Sequence, residues 1–290
     1  MAIHKILFPT KFRELSFDAL SALLELKEAG LEEVVLLHVI EREQVGFVPY
    51  GGYLKEEEER LRDIARLKFE EWQQFLERKG IKSKFHILVG NPVPKILAVA
   101  EEDNVDLIVA GRKKRQALER YIGSSMLDLL QRSKKPVLVF KYMCYDIEKG
   151  REFCVVNQQL CEHLLLATDF SESSERAFRF LENFKGPAKK ITLLHVVSED
   201  LDKSALEKEA SEAKAKLNEF SQKLQQKGFT SQYYVHIGKP VQEILKISQE
   251  YGANMVLMGT TGKGRWRALW LGSVSQRVAE FSHLPVLLVP

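Results

Sequence analysis

Short runs of valine, isoleucine and leucine alternate along this chain with longer stretches in which apolar residues recur every three or four positions. In the second half the short runs fall at about 163–168, 190–197, 231–237, 254–259 and 285–289. One longer stretch carries a helical stripe that ends at Gly228 and consists of Leu206, Ala210, Ala213, Leu217, Phe220 and Leu224. Apolar strands that alternate with amphipathic helices are typical of βαβ units around a buried parallel sheet. The pattern predicts an α/β fold with five strands and about four helices in each half.

The two halves repeat one another. Residues 6–12 read ILFPTKF and residues 164–170 read LLLATDF. Three further pairs of segments match in the same order, namely 35–39 with 192–196, 89–93 with 237–241, and 135–139 with 284–288. Such self-similarity predicts two copies of one domain, an N-terminal copy at 1–141 and a C-terminal copy at 161–290. The N-terminal copy has a longer loop from Gln44 to Tyr53. Residues 142–160 are too apolar for a flexible tether, and Lys149-Gly150 between two apolar runs predicts a hairpin.

The C-terminal copy places glycines where a doubly wound sheet binds ligands. For a strand order of 3-2-1-4-5, with helices on both faces, that place lies beyond the carboxyl ends of strands 1 and 4. Strand 4 leads into Gly259-Thr260-Thr261-Gly262-Lys263-Gly264, and Gly272-Ser273-Val274-Ser275 then begins a helix that extends to Phe281. Glycines let backbone amides approach a ligand, and a helix N-terminus favours a phosphate. Ser273 and Ser275 add hydroxyls, and Lys263 and Arg265 add positive charge.

The alternative is structural: the glycines mark a tight turn and Ser273 is an N-cap. Two common phosphate motifs do not fit. A Walker loop needs Lys and then Ser or Thr after Gly264, where Arg265-Trp266 stands. A dinucleotide-binding fingerprint would follow strand 1 rather than strand 4.

Two further features lie at the ends of strands 1 and 2. Asp169 ends strand 1 and could accept hydrogen bonds from a sugar hydroxyl or a base amine, or it could cap a helix over 172–184. The backbone of His195-Val196-Val197 could contact an adenine edge. His195 itself is typical of a packed core histidine, because no nucleophile or second titratable group is paired with it in the sequence.

With these motifs the chain resembles the universal stress protein family in its tandem-domain form. The resemblance rests on the G-x2-G-x9-G-S spacing of Gly259, Gly262, Gly272 and Ser273, on residues 167–171 and on the closing residues 285–290. It implies two flavodoxin-like (adenine nucleotide alpha hydrolase-like) domains, each with a five-stranded parallel sheet of order 3-2-1-4-5. It also implies binding of ATP or AMP, with Mg²⁺ as a companion of ATP, and pairing of the fifth strands, Val137–Phe140 with Val286–Val289, inside one chain. The implied nucleotide-binding residues are Ala167, Thr168, Asp169, Val197, Met258, Gly259, Thr260, Gly262, Lys263, Gly264, Gly272, Ser273, Val274 and Ser275.

The N-terminal copy departs from this pattern. Lys11 replaces the aspartate, Pro9 replaces Ala167, Lys114 replaces the second glycine, and the stretch before Gly123-Ser124 is one residue shorter. We therefore expect this copy not to bind ATP in the family manner, although Gly111, Gly123 and Ser124 leave a weak phosphate site open. Residues 112–115 are all basic, and we expect them in a loop that is either simply solvated or contacts an acidic partner or nucleic acid.

Composition narrows the function classes. The formal net charge is only +3, so a nucleic acid is not the expected partner. The apolar runs are far shorter than the ~18 residues of a membrane-spanning helix, and no signal peptide is recognisable at the start. The three cysteines, Cys144, Cys154 and Cys161, fit neither a disulfide scaffold nor a zinc site, which favours a cytoplasmic protein with reduced thiols.

The sequence thus predicts a nucleotide-binding stress-response protein, a sensor or regulator whose C-terminal copy carries the working pocket. A homodimer is an additional expectation. No general base or carboxylate pair is positioned beside the phosphates, which favours binding over catalysis. Two alternatives stay open: a slow ATPase or self-phosphorylating enzyme, and a ligand-free interaction module.

Overall fold

The structure, a computed structural model, describes residues 3–13, 16–48, 52–115, 123–147, 151–156, 159–262 and 271–290. The strands of the N-terminal half and the linker are β1 (Lys5–Pro9), β2 (Glu33–Ile40), β3 (Gly46–Val48), β4 (Gly52–Tyr53), β5 (Lys82–Val89), β6 (Leu107–Arg115), β7 (Val137–Ile147) and β8 (Arg151–Val156). Those of the C-terminal copy are β9 (His163–Ala167), β10 (Lys190–Ser198), β11 (Ser231–Gly238), β12 (Met255–Gly259) and β13 (Val286–Val289).

Helices separate these strands. In the N-terminal copy they are α1 (Ser16–Ala22), α2 (Arg42–Val45), α3 (Lys55–Arg78), α4 (Pro92–Glu102) and α5 (Ser124–Arg132). In the C-terminal copy they are α6 (Glu172–Leu181), α7 (Lys203–Gln226), α8 (Pro240–Glu250) and α9 (Ser273–Phe281). The helix expected over 172–184 ends at Leu181 and continues as a 3₁₀ turn, Glu182–Phe184. The long N-terminal loop holds α2 and the small β3–β4 sheet, which the apolar pattern did not reveal.

One sheet runs through both copies. Its order is β11-β10-β9-β12-β13-β7-β6-β1-β2-β5, so each copy has the order 3-2-1-4-5. The predicted α/β architecture is confirmed. The fifth strands join the copies: β13 pairs antiparallel with β7, with Leu287 opposite Leu138. This is the pairing expected from the sequence, and it covers two edges that would otherwise be open to another chain.

The linker extends this sheet. β7 continues past the end of the N-terminal copy to Ile147 and pairs antiparallel with β8, with Ile147 opposite Arg151. β6 follows β7 along the extension as far as Arg115, opposite Cys144. The expectation that residues 112–115 lie in a loop is therefore wrong. Their backbone stays in the sheet because the linker strand gives it hydrogen-bonding partners.

Apolar side chains form a layer on each face of the sheet, and each layer continues from one copy into the other. On one face Phe8 and Phe140 belong to the same cluster as Leu164 and Leu257. On the other face Leu7 and Val139 share a cluster with Leu165 and Val256. The two copies are thus one packed unit. None of the helices that the structure describes is apolar enough over a sufficient length to cross a membrane.

Buried cations of the N-terminal half also bind the C-terminal copy. Arg112 is 8% exposed and donates to the carbonyl oxygens of Ala279 (3.3 Å) and Glu280 (2.9 Å), at the C-terminus of α9. Lys141, 2% exposed, donates to the Ala279 oxygen as well. The last carbonyls of a helix have no partners inside the helix and carry the negative end of its dipole, so two cations stabilise this end of α9.

Candidate functional site

A cavity of about 510 Å³ opens at the carboxyl edge of the C-terminal copy, where β9 and β12 end. Its apolar wall comes from the sheet and from α8, and consists of Ala167, Leu194, Val196, Pro240, Ile244 and Met258. Its polar wall comes from the loops after β9 and β12 and from the first turns of α6 and α9, and includes Thr168, Asp169, Ser174, Thr261, Ser273 and Ser275. Ligand sites are commonly apolar cavities of this size with a few convergent polar groups.

Gly259 lets the end of β12 lie directly against the start of α6. A Cβ atom at this position would be 2.3 Å from Ser173 Oγ and 2.6 Å from the backbone nitrogen of Ser174. Because backbone atoms cannot move aside as a flexible side chain can, no other residue fits here without displacing the loop. The glycine therefore brings the loop after β12 to the first turn of α6.

Gly262 brings the same loop to Asp169. A Cβ atom at residue 262 would be 2.9 Å from Asp169 Oδ2, so the absence of a side chain lets the backbone lie beside the carboxylate. The other oxygen, Oδ1, accepts a hydrogen bond from the Ser171 amide at 3.0 Å. The cap of α6 is Ser171, whose side chain accepts from the Ser174 amide. The alternative that Asp169 caps this helix is therefore wrong.

Serine hydroxyls bind the backbone at the start of the glycine loop, the segment that leads from Gly259 to Gly272. Ser173 Oγ donates to the Thr261 carbonyl at 2.5 Å, and Ser171 Oγ donates to the same oxygen at 3.2 Å. Ser275 Oγ donates to the Thr260 carbonyl at 2.8 Å, and this carbonyl also accepts from the Gly272 amide at 2.6 Å. Thr260 and Thr261 are thus bonded to the N-termini of both α6 and α9.

The two helix starts differ in what they leave open. The N-cap residue of α6 is Ser171, whose side chain accepts from the first turn, whereas the N-cap residue of α9 is Gly272, which has no side chain to do so. The first amides of a helix have no partner inside it and lie at the positive end of the dipole. Since Gly272, Ser273 and Val274 line the cavity, the N-terminus of α9 faces it, and a helix N-terminus favours an anion.

His195 lies on the cavity wall, and only one of its two ring nitrogens makes a hydrogen bond to the described residues. Its side chain is 3% exposed, and Nδ1 is 2.7 Å from the Thr168 carbonyl oxygen. Nε2 is buried and has no hydrogen-bond partner among the described residues. The Glu209 carboxylate on α7 lies 3.6 Å from Nε2. Both His195 and Glu209 line the cavity.

Most of the residues expected from the sequence come together here. Ten line the cavity, namely Ala167, Thr168, Asp169, Met258, Gly259, Gly262, Gly272, Ser273, Val274 and Ser275. Thr260 supports the loop through its carbonyl, and Val197 is fully buried, with its neighbours Val196 and Ser198 rather than itself on the cavity wall. Lys263, Gly264 and Arg265 lie outside the described residues.

Several wall residues carried no recognisable signal in the sequence. Glu209 reaches the cavity because α7 packs on β10, and Leu201 lies in the segment between these two elements. Ser171 and Ser173 do not line the cavity but bind the Thr261 carbonyl beside it. Pro240 and Ile244 belong to the repeated segment that follows strand 3 in each copy, and this repeat was the one signal that could have identified them.

The equivalent cavity of the N-terminal copy is smaller, at about 240 Å³. Tyr142, from the strand extension, lies over Gly111, where a Cβ atom would be 2.4 Å from its hydroxyl oxygen. Burial raises the pKa of Tyr142 to about 12, so the phenol is neutral at physiological pH. Lys11, in the place of Asp169, is paired with Glu41 at 2.5 Å.

Metal-binding side chains are not clustered in the part of the chain that the structure describes: no group of three or more His, Cys, Asp or Glu is placed to hold an ion. The described Cys161 is a buried free thiol, and burial raises its pKa well above the ordinary value.

Comparison with known proteins gives consistent matches. The sequence model of the universal stress protein family matches residues 2–141 and 161–290. The chain is 35% identical over 152 residues to universal stress protein MJ0577 of Methanocaldococcus jannaschii, and the aligned region covers 47% of this chain and 94% of that protein. It is 33% identical over 73 residues to YxiE of Bacillus subtilis, covering 25% of this chain and 49% of that protein. A solved universal stress protein from Archaeoglobus fulgidus DSM 4304 matches with a TM-score of 0.72 and 28% identity, over 98% of this chain and 95% of the other.

Proposed function

Because this chain belongs to the universal stress protein family, with both copies matched, we propose that it is a stress protein that binds an adenine nucleotide, ATP or AMP, in its C-terminal copy. In this proposal the chain consists of a degenerate domain at 1–141, a linker at 142–160 and the nucleotide-binding domain at 161–290. In the same proposal the protein acts as a sensor or regulator.

The main support for the proposal is that three features lie at one cavity: the glycine loop, the Asp169 carboxylate and the N-terminus of α9. The glycine loop lies against the Asp169 carboxylate, and the uncapped start of α9 faces the same space. A nucleotide needs acceptors for its sugar hydroxyls and donors for its phosphates. Asp169 supplies the first and the α9 amides supply the second.

The apolar wall suits the base. Leu194, Val196 and Ile244 lie on one side of the cavity, where they can pack on a flat ring. The volume of about 510 Å³ lies within the ~300–1,000 Å³ typical of small-molecule sites. The N-terminal cavity, at about 240 Å³, lies below that range. Size as well as charge therefore favours the C-terminal copy.

Nucleotide binding is tested by measuring the dissociation constants of ATP and AMP, with GTP as a control ligand, for the purified chain. We expect adenine nucleotides to bind and Gly262→Ala to weaken binding by ~10-fold or more, because the added methyl would displace the Asp169 carboxylate. Gly123→Ala is the matched control, since nothing lies within 4 Å of its Cβ position. Absence of adenine-nucleotide binding, or an unchanged Gly262→Ala variant, contradicts the proposal.

The same samples distinguish binding from turnover. We expect ATP to be recovered intact after long incubation with Mg²⁺. Sustained phosphate release that Gly262→Ala abolishes would instead assign a slow ATPase to this pocket.

A cytoplasmic location and a homodimer stay predictions.

A further inference from the structure

The linker hairpin places two cysteines directly opposite one another. β7 and β8 pair antiparallel over six consecutive residue pairs, the last of which is Ile147 opposite Arg151. In this register Cys144 is opposite Cys154. Directly opposite residues of an antiparallel pair belong to the same face of the sheet. The backbone therefore brings together two cysteines that lie ten positions apart in the sequence.

The spacing of opposite residues suits a disulfide bond. In an antiparallel ladder, directly opposite Cα atoms are about 5.5 Å apart in hydrogen-bonded pairs and about 4.5 Å apart in the other pairs. Disulfides join residues whose Cα atoms are about 4.4–6.8 Å apart. Both kinds of pair fall in this range, so the register of Cys144 and Cys154 allows the bond. A shift of one residue on either strand would put the two cysteines on opposite faces.

The third cysteine is set apart from this pair. Cys161 is fully buried, and burial raises the pKa of its thiol well above the ordinary value. Its backbone amide donates to both carboxylate oxygens of Glu25, at 3.2 and 3.3 Å, which ties this residue to the N-terminal copy. Since the thiolate is the form that attacks a disulfide, Cys161 is a poor competitor and serves as an internal control.

The hairpin is continuous with the contact between the two copies. β7 carries Lys141, which donates to the Ala279 carbonyl at the C-terminus of α9. β6 follows the β7 extension as far as Arg115, opposite Cys144. A covalent bond across β7 and β8 restricts the ways in which this extension can open. Oxidation of the cysteine pair would therefore hold the extension of the sheet in place.

We propose that Cys144 and Cys154 are a redox-sensitive pair, a dithiol in reducing surroundings and an intramolecular disulfide in oxidising ones. This site goes beyond the proposed function and does not depend on nucleotide binding. The oxidant is a low-molecular-weight disulfide such as oxidised glutathione. The thiolate of one cysteine attacks it and displaces one glutathione thiolate. The thiolate of the other cysteine then attacks the mixed disulfide and displaces the second. Two electrons pass to glutathione, and the two thiol protons end on the two released glutathione molecules.

The test equilibrates the full chain with buffers of reduced and oxidised glutathione, blocks the remaining thiols by alkylation and maps the peptides by mass spectrometry. We expect a single disulfide, between Cys144 and Cys154, and an alkylated Cys161. Cys161→Ser should form the same disulfide. The equilibrium constant for its formation should be ~10-fold or more higher in the folded chain than in unfolding urea, because the paired strands raise the effective concentration of the two thiols.

A matched control exchanges two neighbouring residues of β8. Cys154→Val combined with Val155→Cys keeps the composition but puts the cysteine opposite Met143, on the other face from Cys144. We expect this double variant to form glutathione adducts, with an equilibrium constant for the internal disulfide that is ~10-fold or more lower than that of the unaltered chain. In the unaltered chain, hydrogen exchange of the β7 amides beyond Lys141 should be slower after oxidation.

The outcomes separate this site from adventitious oxidation. A disulfide that includes Cys161, a cross-linked dimer, or glutathione adducts without an internal disulfide in the unaltered chain would overturn the proposal. Equal constants in the folded and unfolded chain, or an exchange variant that forms the disulfide as readily, would overturn it too. None of these results bears on nucleotide binding in the C-terminal copy, which the titrations described above test separately.

Discussion

The two copies share the end of their first strand and differ at the end of their fourth. Phe12 and Phe170 follow the first strands with positive φ angles of 51° and 59°, so the turn is the same in both copies. After the fourth strand the two copies follow different paths. β12 ends at Gly259 and turns into the glycine loop, whereas β6 continues to Arg115 beside the linker strand. The cavities at these strand ends differ as well, with volumes of about 510 Å³ in the C-terminal copy and about 240 Å³ in the N-terminal copy.

The neighbouring strand explains this difference. In the N-terminal copy the extension of β7 offers hydrogen-bonding partners, and β6 follows it. Arg112, which corresponds to Thr260, then reaches the C-terminus of α9 instead of supporting a loop. The serines that hold the loop are also missing, with Arg13 in place of Ser171 and Met126 in place of Ser275. The same position therefore contacts the other copy in the N-terminal half, whereas in the C-terminal half its carbonyl supports the loop at the cavity.

The largest effect is expected from Gly259→Ala. The added Cβ would meet backbone atoms of α6, so the loop must move. We expect nucleotide affinity to fall at least ~100-fold and unfolding free energy to fall by ~1–3 kcal/mol. Calorimetric titration and urea unfolding measure the two effects. Gly123→Ala should change neither, and a Gly259→Ala chain with ordinary affinity would show that this close approach is unnecessary.

Arg112→Met should come next, with a loss of ~2–3 kcal/mol in unfolding free energy. The variant removes a buried guanidinium and leaves the Glu280 carbonyl without that donor. Arg132→Met, which breaks an exposed pair with Asp128, should cost less than ~1 kcal/mol. Urea unfolding compares them. Equal losses would mean that the contact between the copies contributes no more than a surface ion pair.

Asp169→Ala should weaken nucleotide binding by ~1–3 kcal/mol, because the sugar or base loses its buried acceptor. Lys11→Ala should leave the affinity almost unchanged, since this lysine lies in the other copy and is paired with Glu41. Titration with ATP and AMP measures both. If the two effects are exchanged, the N-terminal copy is the binding copy.

The smallest effect concerns acid stability. In the N-terminal copy burial opposes ionisation of Asp103, but hydrogen bonds from Lys84 and His86 outweigh it and lower the pKa of this carboxyl below its ordinary value of 3.8. The C-terminal copy has Tyr234 and Tyr251 in the places of His86 and Asp103, with ring centroids 4.5 Å apart. A lowered pKa stabilises the fold above pH 3.8, and this stabilisation is lost as the pH falls through the folded-state pKa.

Asp103→Asn should therefore be less stable than the unaltered chain at pH 7, and the difference should shrink as the pH is lowered below 3.8. Urea unfolding at both pH values measures it. Tyr251→Phe, at the equivalent position, should show a difference that does not depend on pH in this range. A stability difference for Asp103→Asn that grows on acidification contradicts the assignment.

Sequence patterns predicted those features that depend on local periodicity or on a repeated motif. The apolar runs marked the strands, and the glycine spacing brought Gly259, Gly262 and Gly272 to one cavity with Asp169. Features that depend on a distant partner were missed. The strand conformation of residues 112–115 comes from the linker strand, and Glu209 reaches the cavity because α7 packs on β10.

The role of Asp169 shows why local rules alone were insufficient. Both Asp169 and Ser171 are good helix-capping residues, and the sequence does not rank them. In the structure Ser171 caps α6, while Asp169 accepts from the Ser171 amide and turns its second oxygen toward Gly262. That choice follows from the loop after β12, which is about ninety residues further along the chain.

We propose that the C-terminal copy binds the nucleotide and that the N-terminal copy supports it. Isothermal titration of the nucleotide-stripped chain with ATP and with AMP, in the presence of Mg²⁺, tests this through the stoichiometry. We expect one site per chain, which Asp169→Ala weakens and Lys11→Ala does not. Two sites per chain would show that the N-terminal pocket also binds, and the absence of any site would contradict nucleotide binding altogether.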